Sequence, residues 1–139
     1  MTSLKEKIMA EMVVDYGDTL ERNFELAKKF IRIANNGKID VITRKSITGK
    51  ELIQLYLIGK IYAKEAGLCE SEEVTNKELI NELSIPEGSL LPWTKDLRDN
   101  KKITSAKPGT HAIPVNLIEK TLKEVETKTT STEEISEEI

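Results

Sequence analysis

At 139 residues the chain is long enough for one domain with extensions and a modest core. Its 21 basic and 24 acidic residues leave a net charge of −3, which argues against indiscriminate coating of nucleic acid. No apolar run is long enough to span a membrane, the segment Met1–Lys7 has no signal-peptide stretch, and the lone Cys69 leaves no intrachain disulfide, so a cytoplasmic location is expected.

Residues 3–35 read as two helices divided at Gly17, with capping-box spacing at Ser3/Glu6 and at Asp18/Glu21. Leu20, Phe24, Ala27, Ile31 and Ala34 recur at alternating intervals of four and three, a short seam suited to docking on a partner. Asn35-Asn36-Gly37 is expected to end that helix in a left-handed cap. Residues 38–43 then predict a short strand, placed to pair beside the hairpin of residues 103–115.

Thr48 and Glu51 open a helix over 48–67. Leu52, Ile53, Leu55, Tyr56, Leu57, Ile58, Ile61, Tyr62, Ala63 and Ala66 cover so wide an arc that burial on several sides is predicted. Gly59 inside it suggests the close approach of another backbone. Residues 68–74 read as an acidic connection. Thr75 and Glu78 cap a short helix with Leu79, Ile80 and Leu83 on one face. Ser84-Ile85-Pro86 makes a turn, with Pro86 placed to open a second helix. That helix runs to about Asn100 and turns Leu90, Thr94 and Leu97 inward.

From Ile103 the pattern switches to period two. Lys107-Pro108-Gly109-Thr110 suits a type II turn with Gly109 at positive φ, and residues 111–115 return as a strand. Asn116 is placed to cap a last helix with Leu117, Ile118, Leu122 and Val125 on its apolar side. From Glu126 the chain is rich in Thr, Ser and Glu, and disorder is expected.

This order of helices, turn and hairpin over residues 75–115 resembles the winged helix-turn-helix superfamily of small transcription regulators. Its style is similar to small archaeal winged-helix DNA-binding proteins. The resemblance covers residues 48–125, leaving an N-terminal helical extension with a short strand over 1–47 and an acidic tail over 126–139. It implies a mainly α fold with a small β-wing, double-stranded DNA as partner, and a second helix that meets the groove while the wing lies on the backbone. It also implies a homodimer through helices flanking the motif, here 18–35 and 48–67.

Lys95, Arg98, Lys101, Lys102 and Lys107 outnumber Asp96 and Asp99 on the second helix and wing. Such cations neutralise phosphates and release counterions, which makes affinity salt-dependent. Ser89 is an uncharged donor near the helix start, and His111 is placed at the surface to face phosphate. Arg44, Lys45 and Lys50 form a second basic cluster.

The first turns of the helix hold no Arg, Lys, Asn or Gln between Pro86 and Trp93, the types that read base edges well. Pro92 removes one helical hydrogen bond and is expected to kink the helix. Leu91, Pro92 and Trp93 together form an apolar knob, which opens a second reading: a module that docks a protein partner, with Trp93 either its anchor or part of the core. No catalytic constellation is present. One histidine, one cysteine and isolated glycines supply neither a metal-ligand set nor a phosphate loop. An enzyme is not expected, nor a metal or cofactor.

Overall fold

Helices make up most of the computed structural model, which describes residues 3–13, 16–42 and 46–138, with two small antiparallel sheets between them. In chain order the elements are α1 (Leu4–Glu11), α2 (Tyr16–Arg22), α3 (Phe24–Lys28), β1 (Ile31–Ile33), β2 (Ile39–Val41), α4 (Gly49–Glu65), β3 (Val74–Thr75), α5 (Asn76–Leu83), α6 (Glu87–Asp99), β4 (Thr110–His111) and α7 (Ile118–Glu138). A 3-10 turn over Val115–Leu117 leads into α7 where an Asn116 cap is expected. No helix among the described residues is long and apolar enough to cross a membrane.

α4 is the axis of the fold. Thr48 Oγ1 accepts from the Glu51 amide at 3.2 Å while Glu51 reaches back to the Thr48 amide at 2.9 Å, so the predicted capping box is complete. Ile53, Leu55, Leu57, Ile58 and Ala63 are wholly buried. The hairpin β1–β2 covers one side of α4, α5 and α6 another, and α7 a third. The wide apolar arc is therefore largely covered inside one chain, with Tyr62 half-buried at its edge.

The seam expected over 18–35 is not one helix. It breaks at Asn23, ends at Lys28, and resumes as β1, which pairs antiparallel with β2 in the register Ile31↔Val41, Arg32↔Asp40, Ile33↔Ile39. Ile31, Ile39 and Val41 point to the core while Arg32 and Asp40 are exposed. This period-two alternation of β-branched residues is what a strand needs. It coincides by chance with a four-three spacing. Asn35-Asn36-Gly37 is accordingly a hairpin turn, with Gly37 at φ +90°, and β2 pairs with β1 instead of the 103–115 hairpin. Thr43, Arg44 and Lys45 lie outside the described residues.

Gly59 does permit a close approach, though of side chains and not of backbone. A Cβ there would stand 2.6 Å from Ile39 Cγ2 and 3.1 Å from Ile31 Cγ2. Between α4 and α5, Thr75 Oγ1 accepts from the Glu78 amide at 3.1 Å, but the Glu78 carboxylate does not close the predicted box. It accepts from Tyr56 Oη at 2.6 Å and pairs with Lys60 at 3.3 Å, tying the two helices together.

α7 runs from Ile118 to Glu138. Ile118, Leu122, Val125 and Thr129 form one buried row, in which Thr129 donates its hydroxyl to the Val125 carbonyl at 2.9 Å. Lys29 pairs with Glu126 at 3.0 Å and Lys128 with Glu51 at 2.7 Å, holding α7 to α3 and α4.

Gly59→Ala tests the α4–hairpin contact through the sign of its effect. Helix propensity alone favours alanine by about 1 kcal/mol, whereas overpacking costs about 1–3 kcal/mol. We expect net destabilisation by about 1 kcal/mol in urea unfolding; a stabilised variant would show that the contact is loose.

Candidate nucleic-acid interface

The second sheet positions the site. β3 pairs antiparallel with β4 in the register Val74↔His111 and Thr75↔Thr110, and Thr104 bridges Ala112 on the other side. Val74 thus belongs to a strand and not to the acidic connection. The tip follows the predicted turn: Gly109 lies at φ +76° and the Thr110 amide donates to the Lys107 carbonyl at 3.1 Å. The Asn76 amide donates to the Gly109 carbonyl at 2.9 Å, so the start of α5 holds the hairpin tip.

α6 carries the other wall. Leu90, Thr94 and Leu97 are buried, as their spacing predicts, and the helix runs on through Pro92. Its C-terminus closes in a Schellman arrangement, with the Lys102 amide donating to the Leu97 carbonyl at 2.8 Å and the Lys101 amide to the Arg98 carbonyl at 2.9 Å. Lys101 takes the left-handed position at φ +58°, where glycine is the favoured residue.

Between α6 and the 105–109 loop lies a cleft of about 630 Å³. Lys95, Arg98 and Lys107 line it together with Leu91, Asn76 and His111, and no carboxylate residue does so. Asp96 and Asp99 at the end of α6 are each paired, Asp99 with a lysine of the cleft itself. Lys50 reaches Asp96 at 2.6 Å and holds its carboxyl below the usual range, while Asp99 pairs with Lys95 at 3.1 Å. Arg98, Lys101, Lys102 and Lys107 make no ion pair among the described residues. Lys101 and Lys102 are exposed just past the end of α6, outside the cleft lining, and Ser89 is half-buried on its first turn, also outside.

His111 is not the surface histidine expected. It is 1% exposed, with Nε2 2.6 Å from Asn76 Oδ1 and with Nδ1 buried and unpartnered. Burial, and then the Arg98 charge, push its pKa below the usual 6.5. Through Asn76 it braces the hairpin against α5. Asn76 went unnoticed in the sequence because its role arises only once β3 and β4 pair.

The apolar knob also divides. Leu91 is 45% exposed and Pro92 is exposed, but Trp93 packs against the core, its ring over Gly49. A Cβ on Gly49 would lie 2.2 Å from the indole. Comparison of the chain with protein-family models, with curated proteins and with solved structures finds no match.

Two outcomes follow from these positions. Because folding holds His111 neutral, the unfolded chain binds its proton more readily. Stability is full above pH 6.5 and falls as acid is added below it. Glu72 and Asp96, held by Lys64 and Lys50 below 4.5 and 3.8, respond only in stronger acid. Urea midpoints should therefore drop between about pH 7 and 5.5 in the native chain and stay flatter in His111→Gln; equal slopes would remove the assignment. Separately, Lys101→Gly should stabilise the fold by about 1 kcal/mol in the same assay by relieving the left-handed residue, and a loss of stability would contradict the helix-end geometry.

Proposed function

We propose that the chain is a winged helix-turn-helix DNA-binding protein, a transcription regulator that grips duplex backbone with α6 and the 103–112 hairpin. The order helix, strand, two helices, then hairpin over residues 49–112 supports this reading. The observation that carries it is the cleft between α6 and the hairpin, lined by Lys95, Arg98 and Lys107 with no carboxylate. Asp96 faces Lys50 and Asp99 faces Lys95, so Arg98 and Lys107 are the cations of the cleft left without an ion pair among the described residues, although the whole chain is acidic.

The contacts are to phosphate more than to bases. Arg98 and Lys107 form a fork across the cleft, with Lys101 and Lys102 extending the charge past the helix end. The exposed start of α6, with Glu87, Leu91 and Pro92, has little to offer a base edge. Affinity therefore comes mainly from counterion release. The alternative, a protein-docking module, would rest on the exposed Leu91 and Pro92 beside a half-buried Trp93 whose ring lies over Gly49.

Fluorescence anisotropy of the full chain against random duplex DNA at two salt concentrations tests the proposal. Binding should weaken steeply with salt, and Arg98→Ala with Lys107→Ala should reduce the salt slope by about 2. Lys101→Gly should bind more weakly while gaining stability. No binding at low salt, or a double variant with unchanged affinity and slope, would overturn the reading.

A further inference from the structure

Helix α1 buries none of its eight residues among the described part of the chain. Ser3 Oγ accepts from the Glu6 amide at 3.2 Å and caps it. Isolated helices shorter than about 12 residues are marginal in water, and most helical stability comes from packing an apolar face. Such a face exists. Leu4, Ile8 and Met12 follow at intervals of four, with Met9 and Val13 beside them, and Leu4 is 73% and Met12 76% exposed.

The same chain carries a matching receptor. α3, β1 and Tyr62 of α4 enclose a groove of about 180 Å³, lined by Phe24, Ala27, Ile31, Ile33 and Tyr62. A dry apolar cavity of about 150 Å³ holds a benzene-sized group, so this one accepts a large aliphatic side chain. Its own α1 does not fill it, for Phe24 remains 48% exposed. Lys28 and Arg32 stand at the rim, and Arg32 makes no ion pair among the described residues even though Asp40 is its cross-strand neighbour. On α1, Glu11 lies three residues from Ile8 and seven from Leu4, on the edge of the apolar stripe.

We propose that α1 of one copy docks in the α3–β1 groove of a second copy, with Ile8 and Leu4 seated on Phe24 and Glu11 facing Arg32. A chain holding both knob and receptor closes two identical contacts about a two-fold axis. This explains an apolar helix too short to stand alone and an apolar groove left open on one molecule. It uses no residue of the α6 cleft and is independent of the DNA reading.

Sedimentation velocity of the full chain over a wide concentration range tests the contact. The native chain should show a reversible dimer, and Ile8→Glu and Phe24→Glu should each raise its Kd at least tenfold. Ile8 contributes to no buried core, so Ile8→Glu should leave the thermal unfolding of the monomer unchanged. Glu11→Arg and Arg32→Glu should each weaken the dimer, and the two together should restore it. A chain that stays monomeric, a dimer indifferent to Ile8→Glu, or a monomer whose α1 binds anionic vesicles instead would overturn the proposal.

Discussion

A helix that is apolar nearly all round must be enclosed, and the enclosure of α4 determines where everything else stands. Its seventeen residues run from the Thr48 capping box to Glu65, and each neighbour takes a different side. The hairpin β1–β2 settles over Gly59, where a missing Cβ lets Ile39 and Ile31 sit close. α5 is fastened by the Tyr56–Glu78–Lys60 cluster, in which a half-buried carboxylate finds both a hydroxyl and an ammonium. Buried polar groups are costly when unpaired, so this satisfied cluster also fixes the rotation of α5 about α4. α6 follows, with the indole of Trp93 on the first turn of α4.

The electrostatics of the surface follow from that packing. The chain is acidic overall, yet acidic and basic groups are sorted. Lys50 comes from the first turn of α4 and meets Asp96 only because α6 packs there. The pair is exposed and contributes little to stability. Its effect is on the charge left over, since a carboxylate facing Lys50 no longer faces the cleft. Net charge is a poor guide to what such a surface binds; the arrangement of pairs decides it.

Much of the central architecture was legible in the sequence. The Thr48 box, the inward row Leu90, Thr94, Leu97 and the Gly109 turn are local signals, each set by capping, periodicity or a demand for positive φ. The misreadings have physical causes as well. Ile31 served two periodicities at once, and only pairing with Val41 chose between them. Thr129 continued the buried row of α7 with a hydroxyl that bonds its own helix, so an apolar search ended at Val125. In the candidate cleft, the grouping of Lys95, Arg98 and Lys107 is legible from their charge, whereas the contact between His111 and Asn76 is not. Their contact joins residues thirty-five positions apart and exists only after β3 and β4 meet.

That contact has a bearing on the mobility of the hairpin. A loop at a binding surface usually must be ordered when its ligand arrives, and the lost freedom subtracts from affinity. Here Asn76 holds the return side of the turn, its amide on the Gly109 carbonyl and its side chain on His111. The backbone course of the turn is therefore set during folding, with the first residue of α5 as its brace. If duplex DNA is the ligand, as proposed, the turn that carries Lys107 meets it already folded and has less freedom to lose.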